Sequence, residues 1–128
     1  MKTWQVLVVD DDTDGREVVG LILRFHHITC VGVPDADEAL DKLDGVDGVI
    51  IDLNLPGMDG WSLLKRIRRE PRWATLPCVA ITAYYSKEVA NKALDAGFAA
   101  FFPKPVEPAA FARELKRVLR SSNPENTG

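Results

Sequence analysis

No stretch of this 128-residue chain is apolar for long enough to cross a membrane. The first residues, Met1–Gln5, lead straight into a strand-like run, with neither the apolar core nor the small-residue cleavage site of a secretory signal. No membrane partner is expected. Cysteine is scarce: Cys30 and Cys78 each lie inside an apolar, strand-like run, which suits buried free thiols better than a disulfide and makes a reducing cytoplasm the expected compartment. Neither sign of charge dominates. The formal charge of −3 leaves no basic footprint for direct nucleic-acid binding. There is no internal repeat and no low-complexity block, and the length fits one compact domain rather than two.

What is present is an alternation. Val6–Val9 is a short apolar run closed by three consecutive acids, Asp10, Asp11 and Asp12. Asp14 can cap a following helix on which Val18, Leu21, Ile22 and Phe25 recur at i, i+3, i+4 and i+7. Thr29–Val33, interrupted by Gly32, reads as a second strand, and Pro34-Asp35 opens a helix carrying Ala36, Ala39, Leu40 and Leu43. The run Val49–Ile51 ends in Asp52 and is followed by a Pro56-Gly57 turn. A helix from about Asp59 to Glu70 then turns Leu63, Leu64 and Ile67 inward and Lys65, Arg66, Arg68 and Arg69 mostly outward. Pro77 opens a fourth strand, Cys78–Ile81, which ends at Thr82. Ser86 caps a helix using Val89, Ala90, Ala93 and Leu94, stopped by Gly97. Ala99–Phe102 forms a fifth strand before Pro103-Lys104-Pro105, and the last helix, about Pro108 to Arg120, presents Phe111, Leu115, Val118 and Leu119. Residues 121–128 are polar and aperiodic, as in a frayed tail, which leaves 1–120 as the folded domain.

Five strands alternating with five helices predict an α/β fold: one parallel sheet, doubly wound, with helices on both faces. Periodicity alone does not order the strands. All strand carboxyl ends of such a sheet share one edge, so Asp10, Asp11, Asp52, Thr82 and Lys104 converge there. Clustered carboxylates need a cation, and Mg²⁺ suits few carboxylates, retained waters and phosphate oxygens, with Mn²⁺ able to substitute. With a lysine and a hydroxyl nearby, the cluster suits phosphoryl chemistry, in which a carboxylate can itself be the nucleophile.

The segments Leu7–Asp12 (LVVDDD), Ile50–Gly60 (IIDLNLPGMDG), Ala80–Tyr84 (AITAY) and Pro103–Pro105 (PKP) together resemble the receiver domain of bacterial two-component response regulators, in the family's order and spacing, over essentially Gln5–Arg120. The resemblance implies the flavodoxin-like sheet order 2-1-3-4-5. It implies that Asp52 accepts a phosphoryl group from the phosphohistidine of a sensor histidine kinase or phosphotransfer protein. Asp11, Asp52 and the backbone carbonyl of Asn54 would ligate Mg²⁺, and Asp10 would act through a water. Lys104 would pair with phosphoryl oxygens, and the Lys104–Pro105 peptide would be cis. Thr82 would move to the phosphoryl group, with Phe101 rotating inward as the switch that changes the face of helix 4, strand 5 and helix 5 for a downstream protein. Asn54 and Tyr84 flank the site and would modulate phosphoryl lifetime.

Some residues depart from that pattern or stand outside it. The family often has Tyr or His at the switch position; Phe101 lacks a hydroxyl, so its inward state rests on packing, and the alternative is ordinary core. Asp12 reads as a solvated loop residue, His26 and His27 as a helix end favoured by the dipole, Trp61 and Trp73 as packing anchors, and Arg66, Arg68 and Arg69 as a solvated face or a docking surface. Ala99-Ala100 lacks the acids of the subfamily that dimerises through helix 4 and helix 5. The competing functions are a docking module of the same fold that works without phosphorylation, a receiver cut from a larger regulator or hybrid kinase, and a phosphohydrolase, for which no insertion is long enough to form a cap. A flavin site is disfavoured by the acids after strand 1. The expected protein is not an enzyme in the ordinary sense, acting only on its own phosphorylation state.

Overall fold

The computed structural model describes residues 3–122. Five parallel strands, β1 (Gln5–Val9), β2 (Thr29–Val33), β3 (Gly48–Asp52), β4 (Cys78–Thr82) and β5 (Ala100–Pro103), form one sheet in the order β2-β1-β3-β4-β5. Between and after them lie α1 (Thr13–Phe25), α2 (Ala36–Asp41), α3 (Gly60–Arg69), α4 (Lys87–Ala96) and α5 (Pro108–Ser122), with a 3₁₀ turn at Pro71–Trp73. Strands β3 and β4 are buried along their whole length, which is why they read as unbroken apolar runs. Alternate strand residues serve opposite faces. Leu7, Val9, Val49, Ile51, Cys78 and Ala80 pack with α2, α3 and α4, while Val6, Val8, Ile50, Val79 and Ile81 pack with α1 and α5.

Caps set the helix starts. Asp35, Asp59 and Ser86 accept backbone N–H bonds at α2, α3 and α4. At α1 the cap is Asp12, not Asp14: its carboxylate accepts from the backbone N–H groups of Asp14 and Gly15. An acid expected to be only a solvated loop residue therefore fixes where the helix begins. α5 extends two residues past the expected Arg120, and the rest of the expected tail, residues 123–128, lies outside the described residues.

The apolar positions of α1 divide in an unexpected way. Val19 and Leu23 are buried, whereas Val18, Leu21 and Phe25 are 52%, 62% and 80% exposed. Both sets have helical spacing. The sheet face receives Val19 and Leu23, and the i, i+3, i+7 stripe is left facing solvent. Similarly, only Ala93 of the expected α4 positions is fully buried and Leu94 is exposed. Arg68 is not a solvated side chain: its guanidinium donates to the carbonyls of Trp73 (3.0 Å) and Leu76 (2.7 Å), tying α3 to the loop before β4. Cys78 is buried and free, whereas Cys30 is free but only half-buried. Trp73 is buried, and Trp61 packs edge-on against Phe98.

Candidate functional site

At the carboxyl edge of the sheet, β1 delivers Asp10, β3 ends in Asp52, β4 ends in Thr82 and the chain leaving β5 supplies Lys104. Asp10, Asp52 and Thr82 are the buried polar residues of the described chain. The Lys104 ammonium lies between the two buried acids, donating to Asp52 Oδ2 at 2.7 Å and standing 2.8 Å from Asp10 Oδ2. Burial alone would lower the lysine pKa; the contacts and charges of Asp10 and Asp52 outweigh it and hold the group above the ordinary lysine value. Lys104 is therefore a fixed cation. The Lys104–Pro105 peptide bond is cis, and the Lys104 N–H donates to the Thr82 carbonyl at 2.8 Å.

Asp11 completes the acid group from an exposed position, and one carboxylate oxygen from each of Asp10, Asp11 and Asp52 lies within 4.8 Å of the others. Three carboxylates against one ammonium leave a formal deficit of two positive charges. Asp10 Oδ2 is buried and has no aligned hydrogen-bond donor, although the Lys104 ammonium is close. A buried carboxylate oxygen aimed into an all-oxygen acid cluster fits a hard divalent cation.

Neighbouring hydrogen bonds hold these groups in place. The Asp10 N–H donates to the Val33 carbonyl, and Asp10 Oδ1 accepts from the Asp12 N–H. Asp52 Oδ1 accepts from the Asn54 N–H at 2.9 Å. The Thr82 hydroxyl donates to Asn54 Oδ1 at 2.6 Å and accepts from the Tyr84 N–H at 3.1 Å. Gly60 begins α3 in direct contact with the end of β3: a Cβ there would stand 2.6 Å from the Asp52 carbonyl oxygen and 2.8 Å from Leu53 Cα. Only glycine lets that helix start there.

The structure thus brings together Asp10, Asp11, Asp52, Asn54, Thr82 and Lys104. The Tyr84 side chain is largely exposed, and the residue bonds the Thr82 hydroxyl through its backbone N–H. Phe101 is half-buried, packed against the core on the side of α2, α3 and α4, with its ring 5.6 Å from that of Tyr85. Two residues that sequence reasoning passed over touch this set. Tyr85 pairs with Phe101, and Arg16 reaches the Asp10 carbonyl. Neither carries a recognisable local signal, because each contact spans separate elements.

A parallel sheet of this order, with acids, hydroxyl and lysine at one edge, defines the class, and the chain belongs to the response regulator receiver domain family, whose model it matches over residues 6–116. Among relatives, it is 34% identical to a 14.6 kDa protein of Leptolyngbya boryana, covering 94% of this chain and 93% of that one. It is 33% identical to the two-component response regulator ORR8 of Oryza sativa subsp. indica, covering 92% of this chain and all of the relative. Among solved structures, the chemotaxis protein CheY4 of Vibrio cholerae superposes with a TM-score of 0.84 at 28% identity, over 91% of this chain and 99% of that one.

Proposed function

We propose that Asp52 is the phosphoacceptor of a Mg²⁺-dependent signalling switch. The observation that carries this is the Asp10–Asp11–Asp52 cluster with Lys104 held between its two buried members. Asp11, Asp52 and the Asn54 backbone carbonyl would hold the cation, with Asp10 acting through a water. The cation would neutralise charge on the transferring phosphoryl group. An Asp52 carboxylate oxygen attacks phosphorus, the P–N bond of the donor phosphohistidine breaks, and its electron pair returns to the imidazole. Lys104 would hold phosphoryl oxygens during transfer.

For Thr82 to reach the new phosphoryl group, its hydroxyl must leave Asn54, which couples the β4–α4 loop to the modification. Phe101 and Tyr85 would move with that loop and alter the α4–β5–α5 face read by a downstream protein. Asn54 and Tyr84 would tune phosphoryl lifetime, Asn54 through its side chain beside Thr82 and Tyr84 from the loop whose backbone N–H bonds the Thr82 hydroxyl. The donor, a sensor histidine kinase or phosphotransfer protein of the cytoplasm, would dock on the exposed Val18–Leu21–Phe25 stripe. Val18 of that stripe also lines a largely apolar groove with Val19, Ala83, Pro105 and Val106, which Asp12, Asp14 and Lys104 line as well.

The test is intact-mass spectrometry after incubation with a small phosphodonor and Mg²⁺. A single phosphoryl adduct is expected, lost in Asp52→Asn and lost when the metal is chelated. No adduct under conditions that modify a known receiver would leave the docking-module reading in its place.

A further inference from the structure

Arg16, half-buried in the first turn of α1, sends Nη1 to the carbonyl oxygen of Asp10 at 2.6 Å and Nη2 to Thr13 Oγ1 at 3.3 Å. That carbonyl belongs to the peptide unit joining Asp10 to Asp11. The other side of Asp10 is fixed as well, its N–H donating to the Val33 carbonyl at 3.1 Å. With both backbone groups held, the direction in which Asp11 leaves the strand is set.

To make this reach, the arginine stem lies across the outer strand at Gly32. A Cβ at Gly32 would stand 3.1 Å from Arg16 Cδ, tighter than side chains ordinarily pack, and in ordinary contact with Arg16 Nε at 3.6 Å. Glycine weakens a strand interior and marks a place where something approaches closely. What approaches here is Arg16. Gly32 pairs with Val8, next to the strand end that carries the acids.

We propose that Arg16 is a positioning residue for the cation site, orienting the Asp10–Asp11 pair through the peptide between them, and that Gly32 is glycine to give it passage. The inference rests on the reading of the acid cluster as a Mg²⁺ site. A charged donor on a carbonyl is stronger than a neutral one, and the guanidinium fork reaches two acceptors where a lysine would offer a point charge.

Two variants isolate the contact. Arg16→Met keeps an apolar stem and removes both donors, whereas Gly32→Ala leaves the arginine and pushes its stem aside by a few tenths of an ångström. Isothermal titration calorimetry with Mg²⁺ gives the dissociation constant, and urea unfolding in chelator gives the stability of the metal-free protein. Arg16→Met is expected to weaken Mg²⁺ binding about tenfold, the lower range for residues that orient metal ligands. Gly32→Ala should weaken it in the same direction, and should add less than about twofold in the Arg16→Met background, since both changes break one interaction. A merely structural contact would lower the stability in chelator and leave the dissociation constant of the folded protein unmoved. Wild-type-like Mg²⁺ binding by Arg16→Met, or a Gly32→Ala effect that persists in full without the arginine, would overturn the proposal. A wild type that binds no Mg²⁺ would overturn the metal reading, and this inference with it.

Discussion

At the scale of single residues, the site is governed by one cation between two buried acids. Replacing Lys104 with Met leaves Asp10 and Asp52 facing each other without it. Breaking a buried ion pair from one side costs several kcal/mol; with the lysine side chain 22% exposed, the loss is expected nearer about 2 kcal/mol. Urea unfolding in chelator measures it. Mg²⁺ should then stabilise Lys104→Met more than the wild type, because the uncompensated acids bind the ion more tightly. The pH dependence has a definite sign. The folded-state pKa of Lys104 is raised above its ordinary 10.5, so its contribution is fully present below that value and is lost as pH rises through the folded one. The stability difference between wild type and Lys104→Met should be flat from neutral pH to about 10 and shrink above it. The residues themselves were legible in sequence because each stands at the end of an apolar run. Which of them bond to which was not: the Thr82–Asn54 bond joins positions 28 apart, and the Lys104–Asp52 pair joins positions 52 apart.

At the scale of elements, helix ends determine where the site residues stand. Gly60 lets α3 begin against the Asp52 backbone, so Gly60→Ala forces the helix and the strand end apart. Overpacking of this kind is expected to cost about 1–3 kcal/mol in denaturant unfolding, and to slow modification of Asp52 by a small phosphodonor even where the protein remains folded. At the other end of α1, His27 adopts φ 63°, a left-handed conformation that side chains other than glycine resist, while its N–H donates to the Arg24 carbonyl. His27→Gly keeps that bond and removes the steric cost. Relief of about 1–2 kcal/mol of left-handed strain exceeds the roughly 0.4–1 kcal/mol by which glycine's extra freedom favours the unfolded chain, so the fold should gain about 0.5–1 kcal/mol, read as a raised unfolding midpoint. Element type and succession along the chain followed from periodicity, whereas the strand order of the sheet did not. The buried face of α1 did not, because its sequence carries two apolar stripes, and only docking on the sheet chose Val19 and Leu23 over Val18, Leu21 and Phe25.

At the scale of the whole molecule, that rejected stripe becomes a surface. Exposed apolar side chains contribute little to the monomer, so Leu21→Ser combined with Phe25→Ser should change stability by no more than about 0.5 kcal/mol for each site. Modification by a small phosphodonor should be unchanged, whereas transfer from a protein phosphohistidine should slow about tenfold, equivalent to about 1.4 kcal/mol of lost docking. Equal slowing with both donors would place the stripe in the chemistry or the fold instead.

The amino-acid sequence by itself determined the alternating elements, most of the helix caps, the buried central strands and the convergence of Asp10, Asp11, Asp52, Thr82 and Lys104 at one edge. Those follow from local rules: side-chain period, turn chemistry, and the geometry that puts every parallel strand end on the same side. Tertiary structure alone decided which stripe of α1 is buried, that Arg16 passes over Gly32 to reach Asp10, and that the Thr82 hydroxyl is held by Asn54. Each of these depends on the distance between elements far apart in the chain. Such distances are set by the packing of side chains across the sheet, to which the period of any one segment is blind.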